Sequence, residues 1–268
     1  MAAKRRTAHW KLLLLIGAVL SVSAAVTWLV ADHLPFGRQR IFHRVASVAG
    51  LAGIGIMRRY VDRRSIGSLG LAIRRWAVRD ALTGIRLGTL TIMGLMAVLW
   101  WCGAWQVALN PDHRKLWWSV ASFLPAAAVI GLVEEFVFRG YVLQTLLAEY
   151  KAHTAVVVTS AGYALAHLAK PPSLWFSMWP DLIGLFLFGL ILALAAVRTR
   201  SLYLPIGLHA SLVYLLKIQK HLIAFAGGSP PWLFGNERLL TGVMGWAALG
   251  LLCWWVHRVT QGRVVHGQ

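Results

Sequence analysis

Leu132 Val133 Glu134 Glu135 Phe136 Val137 Phe138 Arg139 Gly140 places three ionisable side chains inside an otherwise apolar run. The chain holds nine Asp and Glu in 268 residues, and two of them are adjacent here. A charge at the centre of a bilayer costs about 2.5 to 3.5 kcal/mol on insertion scales, so one that persists there marks a working site by default. The stretch therefore sets two expectations together: a helical membrane protein, and chemistry inside it.

Composition extends the first expectation to the whole chain. It is 58% hydrophobic with 14 Trp, too apolar for a soluble domain of this length. A hydrocarbon core about 30 Å thick takes about 20 apolar residues per helix. Apolar segments recur at residues 11–31, 41–57, 80–104, 117–147, 153–169, 181–197, 202–220 and 239–257. The predicted fold is all-α, a polytopic membrane bundle of about eight spans. The second and fifth segments are short, which points to tilt or a re-entrant path. Organisation follows as an N-terminal two-helix segment with a basic linker (1–79), a core (80–257) and a short tail (258–268). The apolar stretch from Leu12 to Ala31 is longer than the 7 to 15 residues of a signal-peptide core, and a retained first span is expected.

The formal charge of +18 raises nucleic-acid binding, but the basic residues sit at the ends of apolar segments, not on one soluble face. No nucleic-acid partner is expected; the lipid bilayer is. With both termini cytoplasmic, 17 basic residues fall inside, from Lys4, Arg5 and Arg6 to Arg258 and Arg263, and nine outside, as the positive-inside rule requires. The stretch Arg58–Arg79, including Ile73 and Arg74, reads as an ordinary positive-inside loop or as an interfacial segment facing anionic headgroups. Trp100, Trp101, Trp105, Trp117, Trp118, Trp175, Trp179, Trp232, Trp254 and Trp255 cluster near span ends as membrane anchors do. Gly84 and Gly88 form a small-xxx-small pair for close helix approach. Cys102 and Cys253 are the only cysteines, so a disulfide framework and a CxxC metal site are both excluded.

Inside the membrane, Glu135 and Arg139 are four apart with the acid N-terminal, the favourable order for a helical pair. Glu134 projects about 100° away, so the two acids face different neighbours: one held by arginine, the other free to hold a water. A purely structural ion-pair network is the competing reading of these three residues. Tyr163 and His167, four apart in the fifth span, and His209 in the seventh add acid, base and hydrogen-bond donor capacity. Each histidine alone reads as a packing residue; with the Glu pair they form a constellation. Glu134, His167 and His209 would be the ligands if a metal such as zinc were bound, but HExxH is absent and no cofactor is expected. A proton or ion relay is a further reading of the same set.

These residues resemble the CPBP family, also called the Abi or CAAX protease family, of intramembrane endopeptidases. The EExxxR motif is matched by Glu134, Glu135 and Arg139, with FRG at Phe138 to Gly140. FxxxH appears as Tyr163 to His167, with tyrosine for phenylalanine. HxxxN is half present: His209 stands, and Val213 occupies the asparagine position. Phe188 Gly189 and Pro205 Ile206 Gly207 Leu208 His209 Ala210 also resemble family text, and the likeness covers roughly residues 119–215. It implies a glutamic-type endopeptidase of the cell membrane in which Glu134, helped by His167, activates water against a membrane-associated peptide or protein substrate. His209 would stabilise the oxyanion. Val213 has no donor, so a backbone amide, Tyr214 or another polar group must substitute; otherwise the chain is a weak or inactive, immunity-type peptide-binding scaffold.

Overall fold

The computed structural model describes residues 7–72, 75–235 and 238–261. Lys4, Arg5, Arg6, Ile73, Arg74, Arg263 and the tail from residue 262 lie outside the described residues. The fold is all-α, with a helix at each of the eight apolar segments. They are α1 (Ala8–Val30), α2 (Arg38–Ile56), α3 (Ala77–Trp101), α4 (His113–Glu135) with its continuation α5 (Leu143–Leu147), α6 (Ala152–Ala166), α7 (Trp179–Thr199), α8 (Tyr203–Ile218) and, after the single turn α9 (Pro231–Phe234), α10 (Val243–Thr260). Among the described residues, five stretches are long and apolar enough to cross a membrane: Ala8–His33, Arg38–Val61, Ala77–Trp101, His113–Leu147 and Phe176–Thr199. α6 has 15 residues, about 22 Å at 1.5 Å per residue, and so falls short of a full hydrocarbon thickness.

Local chemistry sets the ends of these helices. The Asp112 carboxylate accepts from the Lys115 backbone N–H at 2.9 Å and starts α4, using one of the orphan donors of the first turn. Pro180 lies in the first turn of α7, where its missing N–H costs nothing. α7 ends at Arg200, which is left-handed at φ 50°.

α8 is the central element. It packs along α3 with both helices running the same way: Gly84 faces Leu204 and Leu208, and Gly88 faces Ser211 and Leu212. Gly207 of α8 in turn meets the Ala81 backbone. The small-residue pair thus acts as expected, letting two backbones approach where a Cβ would collide. α4 packs on the other side of α8, with Gly131 against Ile206 and Ala210. α7 and α10 run parallel, since the tilted rings of Trp179 and Trp246 meet 6.3 Å apart at one end and Arg198 Nη1 donates to the His257 carbonyl at 3.2 Å at the other. α6 lies antiparallel on α7, Ser160 against Gly189 and Tyr163 against Phe188.

Two apolar cores result. The larger joins α3, α7, α8 and α10 through Ile92, Leu99, Leu192, Leu208 and Leu252. The second lies where α1 and α2 meet the end of α4 and α6, through Leu15, Ile54, Phe136, Tyr141 and Leu143. Leu13, Leu14, Trp28 and Val48 on α1 and α2, and Trp101, Trp117 and Trp118 at the facing ends of α3 and α4, are exposed. Apolar side chains turned outward on long helices suit a lipid solvent.

One element was not anticipated. β1 (Trp105–Val107) and β2 (Ile223–Phe225) form an antiparallel pair with Gln106 opposite Ala224. Because α3 and α8 are parallel, the segments that leave them emerge side by side, and their backbone groups pair there. Three residues on each strand carry too little alternation to register as a strand in the sequence.

Candidate active site

Glu134 and Glu135 are the last two residues of α4. Immediately after them the helix widens into a π segment, Phe136–Val142, an irregularity that often accompanies functional sites. The Glu pair, Arg139 and Tyr141 all stand on or beside this widened turn.

Glu135 and Arg139 are completely buried. Arg139 Nη1 donates to Glu135 Oε1 at 2.8 Å, and Nη2 donates to the Gly189 carbonyl of α7 at 3.1 Å. The guanidinium carbon lies 4.6 Å from the Tyr163 ring centroid and 5.9 Å from that of Phe138. A cation so deep in an apolar bundle is compensated on three sides: by a carboxylate, a carbonyl dipole and aromatic π faces.

His209, buried on α8, places Nδ1 at 2.7 Å from the same Glu135 Oε1. That oxygen already accepts from Arg139, so it is a carboxylate oxygen and the imidazole Nδ1–H donates to it. Its Nε2 is thereby turned toward Glu134 Oε2, 3.7 Å away. Glu134 differs from its neighbour as the 100° offset predicts. Its Oε2 is buried without a hydrogen-bond partner, yet its side chain is 32% exposed. One acid is locked in an ion pair; the other is open.

His167 closes α6 as its C-terminal cap residue. Its Nδ1 lies 2.9 Å from the Tyr163 carbonyl oxygen; a carbonyl only accepts, so Nδ1 carries the proton and Nε2 is left with its lone pair. The Tyr163 ring sits between the two histidines, its centroid 4.9 Å from that of His167 and 6.0 Å from that of His209. Phe138 and Phe188 meet it edge-on at 5.2 and 6.4 Å, and Phe188 also packs on His209 at 5.3 Å. The imidazole in direct contact with Glu134 is therefore that of His209, whereas His167 joins the group through Tyr163. The different depths of the two histidines along parallel spans are reconciled by the short α6, which ends at His167 within the bundle.

Val213 lies one turn beyond His209 on α8, and Tyr214 is spent elsewhere: its hydroxyl donates to the Val120 carbonyl of α4 at 3.2 Å. Glu134, His167 and His209 do not form a ligand set, for no group of three or more His, Cys, Asp and Glu arranged to hold a metal ion occurs among the described residues. A cleft of about 880 Å³ lined by Trp179, Asp181, Trp232, Arg238 and Trp246 lies at the N-terminal ends of α7 and α10 and includes none of the site residues.

Three contributors escaped the sequence: the π segment, the Gly189 carbonyl that accepts from Arg139, and the Tyr163 face beneath the guanidinium. A backbone acceptor in an apolar span carries no side-chain signal. An aromatic ring four residues from a histidine suggests packing, and its cationic partner comes from another helix.

Residues 116–215 match the family model for type II CAAX prenyl endopeptidase Rce1-like proteins. The matched segment runs from Leu116 in α4 to Leu215 in α8 and contains Glu134, Glu135, Arg139, Tyr163, His167 and His209. No curated protein matches the chain.

Proposed function

We propose that this protein is an endopeptidase of the cell membrane, spanning it several times, and that Glu134 activates a water to hydrolyse a peptide bond of a membrane-associated protein or peptide. The match to a protease family over the segment that holds the site supports the reaction class. The observation that carries the residue assignment is the division of the two acids. Glu135 is fully buried with its Oε1 held by both Arg139 and His209, while Glu134 has one oxygen against His209 and a partly exposed side chain.

Peptide hydrolysis needs a base, a water and a group that meets the charge on the carbonyl oxygen. Glu134 takes a proton from water as the water oxygen bonds to the scissile carbon. The carbonyl π pair moves to oxygen, and collapse of the tetrahedral intermediate expels the amine with a proton returned by the acid. Glu135 holds Nδ1–H of His209, so a neutral His209 turns a lone pair toward Glu134. Nε2 of His209 faces Glu134 Oε2 at 3.7 Å, so the pair can pass the proton taken from water between them and act as a proton store for the second step. His167, with Nδ1 tied to Tyr163, offers Nε2 to the water or to the leaving amine. Arg139 orients Glu135 and touches no reacting atom.

The experiment compares membrane proteins from cells carrying the unmodified chain with those carrying Glu134→Gln, followed by reconstitution of both chains in liposomes with a quenched, lipidated peptide library. Proteins shortened only with the unmodified chain, and fluorescence release abolished by Glu134→Gln, are expected. Undiminished turnover by Glu134→Gln would remove Glu134 as the base.

Val213 and the commitment of Tyr214 to Val120 favour one second reading: a scaffold that binds a membrane peptide without cutting it. Tight, Glu134-independent capture of library members with no hydrolysis distinguishes it.

A further inference from the structure

A base and a proton store do not complete a peptidase; the developing oxyanion needs a donor that is not itself a required base. His209 has its Nδ1–H on Glu135 and faces Glu134 with the other nitrogen. His167 has its Nδ1–H on a backbone carbonyl. Both neutral imidazoles have used their single donor.

Three hydroxyls on α6 and α8 are spent in the same way. Ser160 Oγ donates to Val156 O at 2.7 Å, Ser211 Oγ to Leu208 O at 2.9 Å, and Tyr214 to Val120 O at 3.2 Å. Tyr163 is different. None of the hydrogen bonds that assemble the site uses its hydroxyl. Its ring is buried and pinned from several sides, by Phe138, His167, Phe188, His209 and the Arg139 guanidinium. A phenol whose ring is packed against both histidines of the site, one of which lies 3.7 Å from Glu134, is held rigidly and costs no reorganisation when charge develops.

We propose that the Tyr163 hydroxyl is the oxyanion donor of this site, stabilising the tetrahedral intermediate formed when Glu134-activated water adds to the peptide carbonyl. The inference rests on the hydrolytic reading above. As the C–O bond to water forms and the carbonyl π pair localises on oxygen, that oxygen accepts the Tyr163 O–H. The phenol proton stays on tyrosine throughout, and the bond relaxes when the carbonyl is restored and the amine leaves. Val213 then needs no replacement on its own helix, because the donor comes from α6.

The test uses the full chain in liposomes, the quenched lipidated peptide library, and a lipidated peptide phosphonate as a stable tetrahedral anion. Tyr163→Phe keeps the ring and all its aromatic contacts. It should lower kcat about 10²-fold, the usual effect of losing one oxyanion donor, with KM and the unfolding midpoint unchanged. Inhibition by the phosphonate should weaken by the same factor, which a merely structural role would not produce. Hydrolysis that is abolished by Glu134→Gln but retained within about twofold by Tyr163→Phe would overturn the inference while leaving the functional reading intact. Absence of hydrolysis by the unmodified chain would overturn both.

Discussion

Arg139 shows how one side chain couples the site to the fold. It anchors Glu135, reaches across to the Gly189 carbonyl of α7 and lies on the Tyr163 face of α6. Removing one partner of a buried ion pair leaves the other uncompensated, at a cost of about 3 to 5 kcal/mol. Arg139→Leu is therefore expected to destabilise the protein by that order, read as a lowered unfolding midpoint in detergent. Arg139→Lys keeps the charge but loses the fork that serves two acceptors. It should recover part of the stability and little of the proposed peptide cleavage. The double variant Arg139→Leu with Glu135→Leu removes both charges and should be more stable than Arg139→Leu alone. If the double variant is no more stable than the single one, the ion-pair account fails.

At the scale of elements, the crossing of α3 and α8 depends on glycines at the contact. A Cβ at Gly84 or Gly207 would run into the backbone of the opposite helix, whereas one at Gly94, on the same helix as Gly84, would meet nothing within 4 Å. Gly84→Val and Gly207→Val should each cost about 1 to 3 kcal/mol by overpacking. Gly94→Ala should be neutral or mildly stabilising, since alanine is the better helix former by about 0.8 to 1.0 kcal/mol. Thermal unfolding of the three variants checks the contrast, and an equal loss at Gly94 would sink it. α4 packs on the other side of α8, and α8 is what carries His209 to Glu134 and Glu135. The π segment after Glu135 and the shortness of α6 complete the placement, since neither a regular helix nor a full-length span would gather Tyr163, His167 and His209 at one depth.

For the molecule as a whole, the N-terminal hairpin of α1 and α2 meets the rest through the second apolar core and, at one end, through Glu149, while charged pairs at the same end tie α1 to the segment after α2. Glu149, in the turn before α6, accepts from the Thr7 and Ala8 backbone N–H groups at 2.7 and 2.9 Å and from the Thr7 hydroxyl at 2.7 Å, capping α1 from a distance in sequence. Lys11 pairs with Asp62 at 2.7 Å, and Arg58 reaches the same carboxylate at 3.5 Å. Burial alone would raise the Glu149 carboxyl, but the hydrogen bonds from Ala8 and Thr7, with the charge of Lys11, outweigh it and hold it below its ordinary value. A carboxyl lowered on folding stabilises the folded state above the ordinary carboxylate value, and that contribution disappears as pH falls through the lowered one. Hydrogen exchange at residues 8–12 should therefore be slow at pH 7 and accelerate at acid pH. Glu149→Gln should show the faster exchange already at pH 7, by about the 1 kcal/mol typical of a lost helix cap. Equal protection in the variant and the unmodified chain at pH 7 would refute this role.

The amino-acid sequence by itself determined the class of solvent, the helical segments and the chemistry available. Runs of apolar residues at this length have no other stable form in a bilayer, because each backbone polar group must be satisfied within its own helix. Glu134, Glu135, Arg139, Tyr163, His167 and His209 stood out for the same reason, as polar groups where polarity is expensive, and the i to i+4 spacing of Glu135 and Arg139 already paired them. Tertiary structure alone decided which imidazole meets which acid, that Gly189 supplies an acceptor through its backbone, that Tyr214 turns to Val120, and that two short strands pair beyond α3 and α8. Those outcomes depend on the rotation and depth of one helix against another. Backbone approach at Gly84, Gly88 and Gly207 and the widened turn after Glu135 set that rotation and depth, and spacing along a single chain segment carries no record of it.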